Sequence, residues 1–244
     1  MKIEQFDTLL STNQYCELLN LDETEEFTVI VAHTQTSGIG QRGNHWEAAP
    51  GKNLTFSLVL KPTWLPVADQ YQLTKAVSLG IADSLMPLIA EGGRRVRIKW
   101  PNDIYVDDNK ICGILITHRI VGGQIVASIV GIGLNVNQQE FSSWVPNPTS
   151  LYLQTGHEWK LDQVLGSVLE HIAHRYNELH DNPIGSLDKP YLNKLLRLGK
   201  EARYSYKGQT IVATITDVNR FGHLQLVTDT GERLSCQLKE IQSL

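Results

Sequence analysis

Hydrophobic and polar positions change period several times along this chain of 244 residues, and each change predicts an element. Phe27 to Ala32 is a β-branched apolar run and predicts a buried strand, and Asn53 to Leu60 predicts a second. From Asp69 to about Ala90, the positions Leu73, Ala76, Val77, Gly80, Ile81 and Leu85 recur on one face of a helix. Val96 to Lys99 begins another strand, Asp107-Asp108-Asn109 signals a turn, and Ile111 to Ile120 continues as a strand. Gly122-Gly123 then turns the chain into Gln124 to Leu134, a hairpin of the two-residue type. Leu161, Val164, Leu165, Val168, Ile172, Tyr176 and Leu179 mark a second amphipathic helix, which ends at Asp181-Asn182-Pro183.

Around Gly185 the texture changes. A short helix near Tyr191 to Leu196 precedes brief alternating runs at Thr210–Val218, His223–Val227 and Leu234–Leu238. Turn pairs such as Phe221-Gly222 and Thr230-Gly231 separate them, a pitch that suggests a small β barrel or open sandwich. The expected fold class is therefore α+β. A mixed, largely antiparallel sheet with packed helices occupies 1–186, and a β module occupies 187–244.

Composition narrows the class. At 41% hydrophobic and 20% charged residues, the chain has the material for a globular core. A net charge of −4 gives the whole molecule no attraction to nucleic acid or anionic membrane. Cys16, Cys112 and Cys236 are far apart, which argues against a disulfide framework or zinc knuckle and suits a reducing cytosol. The N-terminus lacks the plan of a signal peptide, and no uninterrupted apolar run approaches membrane-spanning length. The expectation is a soluble cytoplasmic protein.

Gly38, Gly40 and Gly43 have the G-x-G-x-x-G spacing of a dinucleotide site. That site needs its glycines directly between a strand and a helix, because the helix N-terminus holds the pyrophosphate. Here the strand ends well before Gly38, and Pro50-Gly51 leads into another strand, so the dinucleotide reading fails. The stretch remains an anion-wrapping loop, a loop that closes over a ligand, or a plain surface loop. Two further stretches carry candidate chemistry. Arg95 to Leu115 packs Lys99, Asn102, Asp103 and Lys110 into a strand–turn–strand unit, which is also what a solvated hairpin looks like. In Gly131 to Asn137, two glycines interrupt a strand, as at a bulge or a close ligand approach. Arg94, Arg95 and Arg97 form a basic cluster suited to a phosphate rim or an acidic partner.

Taken together, these stretches resemble the biotin protein ligases. The matching segments are Ser11-Thr-Asn-Gln14, Gln35 to Gly43 with Trp46, Lys99-Trp-Pro-Asn-Asp103, Lys110-Ile-Cys-Gly-Ile114 and Gly131-Ile-Gly-Leu-Asn135. The resemblance implies the family's catalytic fold, similar to class II aminoacyl-tRNA synthetases, with an SH3-like β barrel at the C-terminus. It implies activation of biotin by ATP and Mg²⁺ to biotinyl-AMP, followed by transfer to one lysine of a carrier domain. By the family pattern, Ser11, Thr12, Asn13, Gln35, Gly38, Ile39, Gly40, Gln41, Arg42, Lys110, Gly113, Gly131 and Gly133 would bind biotin, with Lys110 bridging its carboxylate and the phosphate. Trp46, Asn102 and Asn135 would hold ATP, together with Lys99, Asp103 and Lys110, which are also the expected catalytic residues. Asp103 would face Mg²⁺ and take a proton from the incoming lysine.

This chain departs from the pattern where the family's loop carries arginines: Ile39 and Gln41 replace two of them, and Arg42 remains. Only ten residues precede Ser11, too few for the helix-turn-helix that some members carry, so a ligase that does not regulate transcription is expected. The implied partner is the biotin carboxyl carrier domain of acetyl-CoA carboxylase or a related carboxylase. Neither DNA nor membrane is expected as a partner, and a homodimer is compatible with the pattern. Lipoate–protein ligase and a non-catalytic biotin or nucleotide sensor are the competing readings.

Overall fold

The computed structural model describes residues 1–183 and 185–244, with every side chain among them except that of Arg42. Seven strands form the larger sheet: β1 (Lys2–Leu9), β2 (Thr28–Gln35), β3 (Leu54–Leu60), β4 (Val96–Lys99), β5 (Asp103–Val106), β6 (Asn109–Val121) and β7 (Gln124–Leu134). Their order is β1-β2-β3-β7-β6-β5-β4, with β1 parallel to β2 and every other pair antiparallel. The helices are α1 (Thr12–Leu18), α2 (Tyr71–Ile89), α3 (Leu151–Thr155), α4 (Leu161–Asp181) and α5 (Asp188–Lys194). A second, five-stranded antiparallel sheet contains β8 (Glu201–Tyr206), β9 (Gln209–Val218), β10 (Leu224–Thr228), β11 (Arg233–Cys236) and β12 (Ile241–Ser243), in the order β11-β10-β9-β8-β12.

The expected α+β class and antiparallel C-terminal sheet are what the structure has. The β6–β7 hairpin turns on Gly122 and Gly123, with φ of 57° and 79°. Two successive positive φ values are the reason two glycines stand there. Helix α2, with its flanking turns from Val67 to Gly92, is apolar enough over its 26 residues to cross a bilayer, contrary to the sequence expectation. In this fold 67% of that apolar window is buried, with Leu73, Val77, Ile81 and Leu85 in the core. Gly80 lets α4 come close, because a Cβ there would lie 2.6 Å from the Ile172 Cα.

Sequence periodicity missed the first two elements. β1 is an edge strand whose residues are mostly exposed, so it shows no apolar alternation. α1 is only seven residues long. The unit from Arg95 to Leu115 holds two turns rather than one, with β5 between them and a cis peptide at Trp100-Pro101. β8 and β12 also escaped notice, because charged and polar residues dilute their short runs.

One apolar core reaches from α2 and α4 through Ile98 and Tyr191 to Tyr204, Ile215 and Leu224 of the second sheet. Helix α5 is central to this continuity. Buried Lys75 of α2 pairs with Asp188 at 2.6 Å, and the Tyr191 hydroxyl lies 2.9 Å from that of Tyr71. Tyr71 in turn donates to the Pro101 carbonyl at 3.2 Å, so helix packing sets the position of the Lys99–Asp103 turn.

Candidate active site

A cleft of about 680 Å³ opens between the large sheet, the glycine loop and the second sheet. That volume is within the usual range for small-molecule sites, about 300–1,000 Å³. Its first group of side chains comes from the start of α1 and the end of β2. Gln35 Oε1 accepts from the Thr12 backbone N–H at 2.7 Å and lies 3.2 Å from Thr12 Oγ1. The Ser57 hydroxyl donates to Asn13 Oδ1 at 2.6 Å and sits 2.7 Å from Thr12 Oγ1. Ser57 is fully buried in a strand whose only other polar residue is Thr55. Sequence reasoning missed it, although a lone serine inside Leu54–Leu60 was the available signal. The result is a preorganised set of donors and acceptors held by secondary structure.

The three strand glycines explain the middle of the cleft. β7 passes through Gly131 and Gly133 without a bulge, so they do not interrupt the strand as expected. They instead admit neighbouring side chains: a Cβ at Gly131 would meet Asn13 Oδ1 at 2.2 Å, and one at Gly133 would meet the Trp46 indole at 2.2 Å. Gly113, opposite Gly133 on β6, has the same indole 2.8 Å from its absent Cβ. Trp46 thus lies flat across two strands. Its buried Nε1 has no partner among the described residues, an unmet donor at the cleft.

The charged group sits beside this ring. Lys110 Nζ is 2.8 Å from Asp103 Oδ1 and 5.5 Å from the centroid of Trp46. Backbone bonds from Lys110 N to Asn147 O and from Thr149 N to Lys110 O hold the lysine's strand end in place. Lys99 donates to the Tyr105 hydroxyl at 3.2 Å, and burial lowers the lysine's pKa below its ordinary value. Burial and the Asp103 charge push Tyr105 up to about 12, so its phenol keeps its proton at neutral pH.

The glycine stretch is a small folded hairpin. Gly38 O accepts from Trp46 N at 2.9 Å, Ile39 bridges His45, and Gln41–Gly43 makes one 3₁₀ turn. Its stem is tied down where Gln138 Oε1 accepts from Ala49 N at 2.9 Å and Glu47 accepts from Ser142 N at 3.0 Å.

Most of the expected residues therefore meet in one cleft: Ser11, Thr12, Asn13, Gln35, Ile39, Gly40, Gln41, Trp46, Lys99, Asn102, Asp103, Lys110, Gly113, Gly131 and Gly133 all line it. Two do not. Asn135 is buried outside the lining; its amide donates to the Thr149 carbonyl at 2.9 Å, which fastens the loop after β7, and its Oδ1 has no partner among the described residues. Gly38 sits in the stem of the hairpin, bonded to Trp46 N, where a Cβ would come 2.8 Å from the Trp46 carbonyl. Asn102 reaches the cleft, but its amide donates to the Ile114 carbonyl, so that donor supports β6. The side chain of Arg42 lies outside the described residues. Arg197 and Tyr204 line the cleft from beyond α5, and no sequence motif pointed to them.

For a magnesium ion the donor set fits a shared site. Mg²⁺ usually takes one or two carboxylates plus substrate phosphates. Asp103 supplies one carboxylate at the cleft, and Asp108 stands on its rim.

Comparisons place this arrangement among known proteins. Residues 6–135 match the profile of the biotin/lipoate A/B protein ligase family. The chain is 27% identical over 228 residues to the bifunctional ligase/repressor BirA of Bacillus spizizenii, covering 92% of this chain and 69% of that protein. It is 30% identical to the biotin–[acetyl-CoA-carboxylase] ligase of Mycobacterium tuberculosis, over 84% of this chain and 74% of that one. The biotin protein ligase of Aquifex aeolicus, in complex with biotin and ATP, superposes with a TM-score of 0.82 at 25% identity, covering 100% of this chain and 99% of that one.

Proposed function

The chain belongs to the biotin/lipoate A/B protein ligase family, and from that premise we propose that it is an ATP-dependent biotin protein ligase. It activates biotin as biotinyl-AMP and passes it to a lysine of a carrier domain in a biotin-dependent carboxylase such as acetyl-CoA carboxylase. The observation that carries biotin over lipoate is the linked set Thr12, Asn13, Gln35 and Ser57. A ureido ring has two N–H donors and a carbonyl acceptor for such groups, whereas a dithiolane ring has none. The relative in Mycobacterium tuberculosis, a biotin–[acetyl-CoA-carboxylase] ligase, supports the same choice by name.

The chemistry follows from charge. Biotin's carboxylate must approach an α-phosphate, and two unit charges at ~4 Å in an effective dielectric near 20 repel by about 4 kcal/mol. Left uncancelled, that repulsion slows the step about a thousandfold. Lys110 bridges the carboxylate and the phosphate, and Lys99 adds a second positive charge. Asp103, which pairs with Lys110 at 2.8 Å, is the group that would accept a proton from the carrier lysine. Asp103 and the nucleotide phosphates would hold Mg²⁺, which would supply further neutralisation of charge. Trp46 stacks on the adenine, and its unmet Nε1–H is a donor for the nucleotide. We read 1–186 as the activating unit and 187–244 as an SH3-like module. The enzyme works in the cytoplasm, where Cys16, Cys112 and Cys236 stay reduced, and binds neither DNA nor membrane.

The test is incubation with ATP, Mg²⁺ and an apo carrier domain, with biotin or lipoate, read by mass spectrometry. One added biotinyl group is expected. Lipoylation, or no transfer with a demonstrably intact carrier, would overturn the reading.

A further inference from the structure

Among the described residues Lys99, Lys110 and Arg197 line the cleft, and they are not equivalent. Lys110 has its charge matched by Asp103 at 2.8 Å. Lys99 and Arg197 have no ion-pair partner among the described residues; Lys99 bonds only to the neutral Tyr105 hydroxyl. Lys99 and Arg197 line the same space; burial lowers the pKa of Lys99, the nearby Asp103 charge acts the other way, and the charges of Lys110 and Arg197 add to the lowering.

Arg197 is also firmly placed. It lies between α5 and β8, where Leu196 N bonds to Ile98 O at 2.8 Å, one residue before Lys99 in β4. On its other side, Leu198 bridges Ile215 and Gly199 N bonds to Ile215 O at 2.9 Å, which ties the segment to β9. Its own φ is +62°, the left-handed region that a residue with a Cβ occupies only under constraint. Strain at a cleft-lining arginine, clamped between two sheets, is what a fixed binding group would show. Tyr204 adds an independent pointer. It lines the same cleft, is 1% exposed, and its hydroxyl has no partner among the described residues. A buried polar group without a partner is a place for a ligand atom.

We propose that Arg197, with Lys99 and the Tyr204 hydroxyl, forms a pyrophosphate subsite for the β- and γ-phosphates of ATP. The inference rests on the ligase reading for its substrate and extends it to a residue outside the family's motifs. In the step concerned, a biotin carboxylate oxygen forms the new bond to the α-phosphorus. The bond from that phosphorus to the bridging oxygen breaks, and pyrophosphate departs with the electron pair. Negative charge therefore accumulates on the departing group, and a guanidinium donates to phosphate oxygens through two parallel N–H groups. Arg197 thus makes the second sheet part of the nucleotide site.

The test uses the full chain and the variants Arg197→Gln and Arg197→Lys. Biotin-dependent exchange between ATP and labelled pyrophosphate gives the KM for pyrophosphate, and calorimetry with Mg²⁺–pyrophosphate gives direct binding. Arg197→Gln is expected to raise that KM tenfold or more and to weaken direct binding similarly, as for loss of a charged hydrogen bond. Biotin affinity stays unchanged, and Arg197→Lys recovers part of the loss because it restores charge without the fork. An unchanged KM and unchanged binding in Arg197→Gln would overturn the inference. Should Arg197→Gln fail to fold, Arg197→Lys decides, since loss of the bidentate contact alone is expected to raise the KM. Absence of biotin-dependent exchange in the unmodified protein counts against the ligase reading instead, and calorimetry with pyrophosphate then still decides for or against the subsite.

Discussion

Lys110 Nζ and Asp103 Oδ1 stand 2.8 Å apart across the β5–β6 turn, so the cleft's central cation is already paired before any ligand arrives. An incoming carboxylate must compete with Asp103 for that ammonium. Lys110→Ala is expected to reduce biotin-dependent ATP–pyrophosphate exchange about a thousandfold, the rate value of the repulsion it cancels. Asp103→Asn separates the two roles: biotin binds more tightly because Lys110 is free, while transfer to the carrier slows. Titration calorimetry and a single-turnover transfer assay measure the two effects. Exchange near the unmodified rate in a folded Lys110→Ala protein would remove this lysine from the mechanism.

Gly131→Ala places a methyl group 2.2 Å from Asn13 Oδ1, inside contact distance. Asn13 must then leave Ser57 and the Leu115 carbonyl, to which its amide donates at 3.4 Å. Breaking buried hydrogen bonds costs about 1–3 kcal/mol, so biotin affinity should fall roughly tenfold to a hundredfold. Calorimetry with biotin reads the loss, and circular dichroism checks that the sheet is intact.

Gln41 lines the cleft from the 3₁₀ turn of the glycine hairpin, in a place where the resembled family carries arginine. Restoring a guanidinium with Gln41→Arg should slow biotinyl-AMP release by about tenfold, the usual value of one hydrogen bond to a charged group. Stopped-flow dissociation measures it, and an unaltered rate would show that the turn does not reach the phosphate.

Burial lowers the pKa of Lys99 below the ordinary lysine value of 10.5. The charged form is the one disfavoured, so the proton leaves earlier as pH rises, and exchange activity should decline on the alkaline side before 10.5 is reached. Arg stays protonated throughout this window, so Lys99→Arg should move that limb to higher pH. A pH–rate profile of kcat/KM distinguishes this from general alkaline unfolding, which both proteins share.

Gly80 shows how sign is decided by magnitude. Alanine gains about 1 kcal/mol over glycine in a helix interior. Its Cβ would lie 2.6 Å from Ile172 Cα and 2.8 Å from Ile172 N, and both are backbone atoms that cannot rotate away. Pushing α2 and α4 apart typically costs about 1–3 kcal/mol or more, so Gly80→Ala should lower the unfolding midpoint in urea. A raised midpoint would mean the two helices separate freely.

Elements that bury one face were legible in the residue pattern. α2 and α4 show their apolar stripes, β2 and β3 their β-branched runs, and Gly122-Gly123 its turn. Lys99, Asp103 and Lys110 were legible as a group because two adjoining turns of one antiparallel unit bring them together. β1 was not, since an edge strand exposed along most of its length has no face to report.

By itself, then, the order of residues determined the strands and helices that bury one face and the two short-range turns that gather the charged side chains. Packing alone decided that Trp46 and Asn13 fill the spaces left by Gly133 and Gly131, and that Asn135 faces a loop instead of the cleft. It likewise brought Arg197 and Tyr204 of the C-terminal region to the same cavity as Lys99. Periodicity records how a segment meets solvent, a local property, whereas these contacts join side chains distant in sequence and exist only once both sheets share a core.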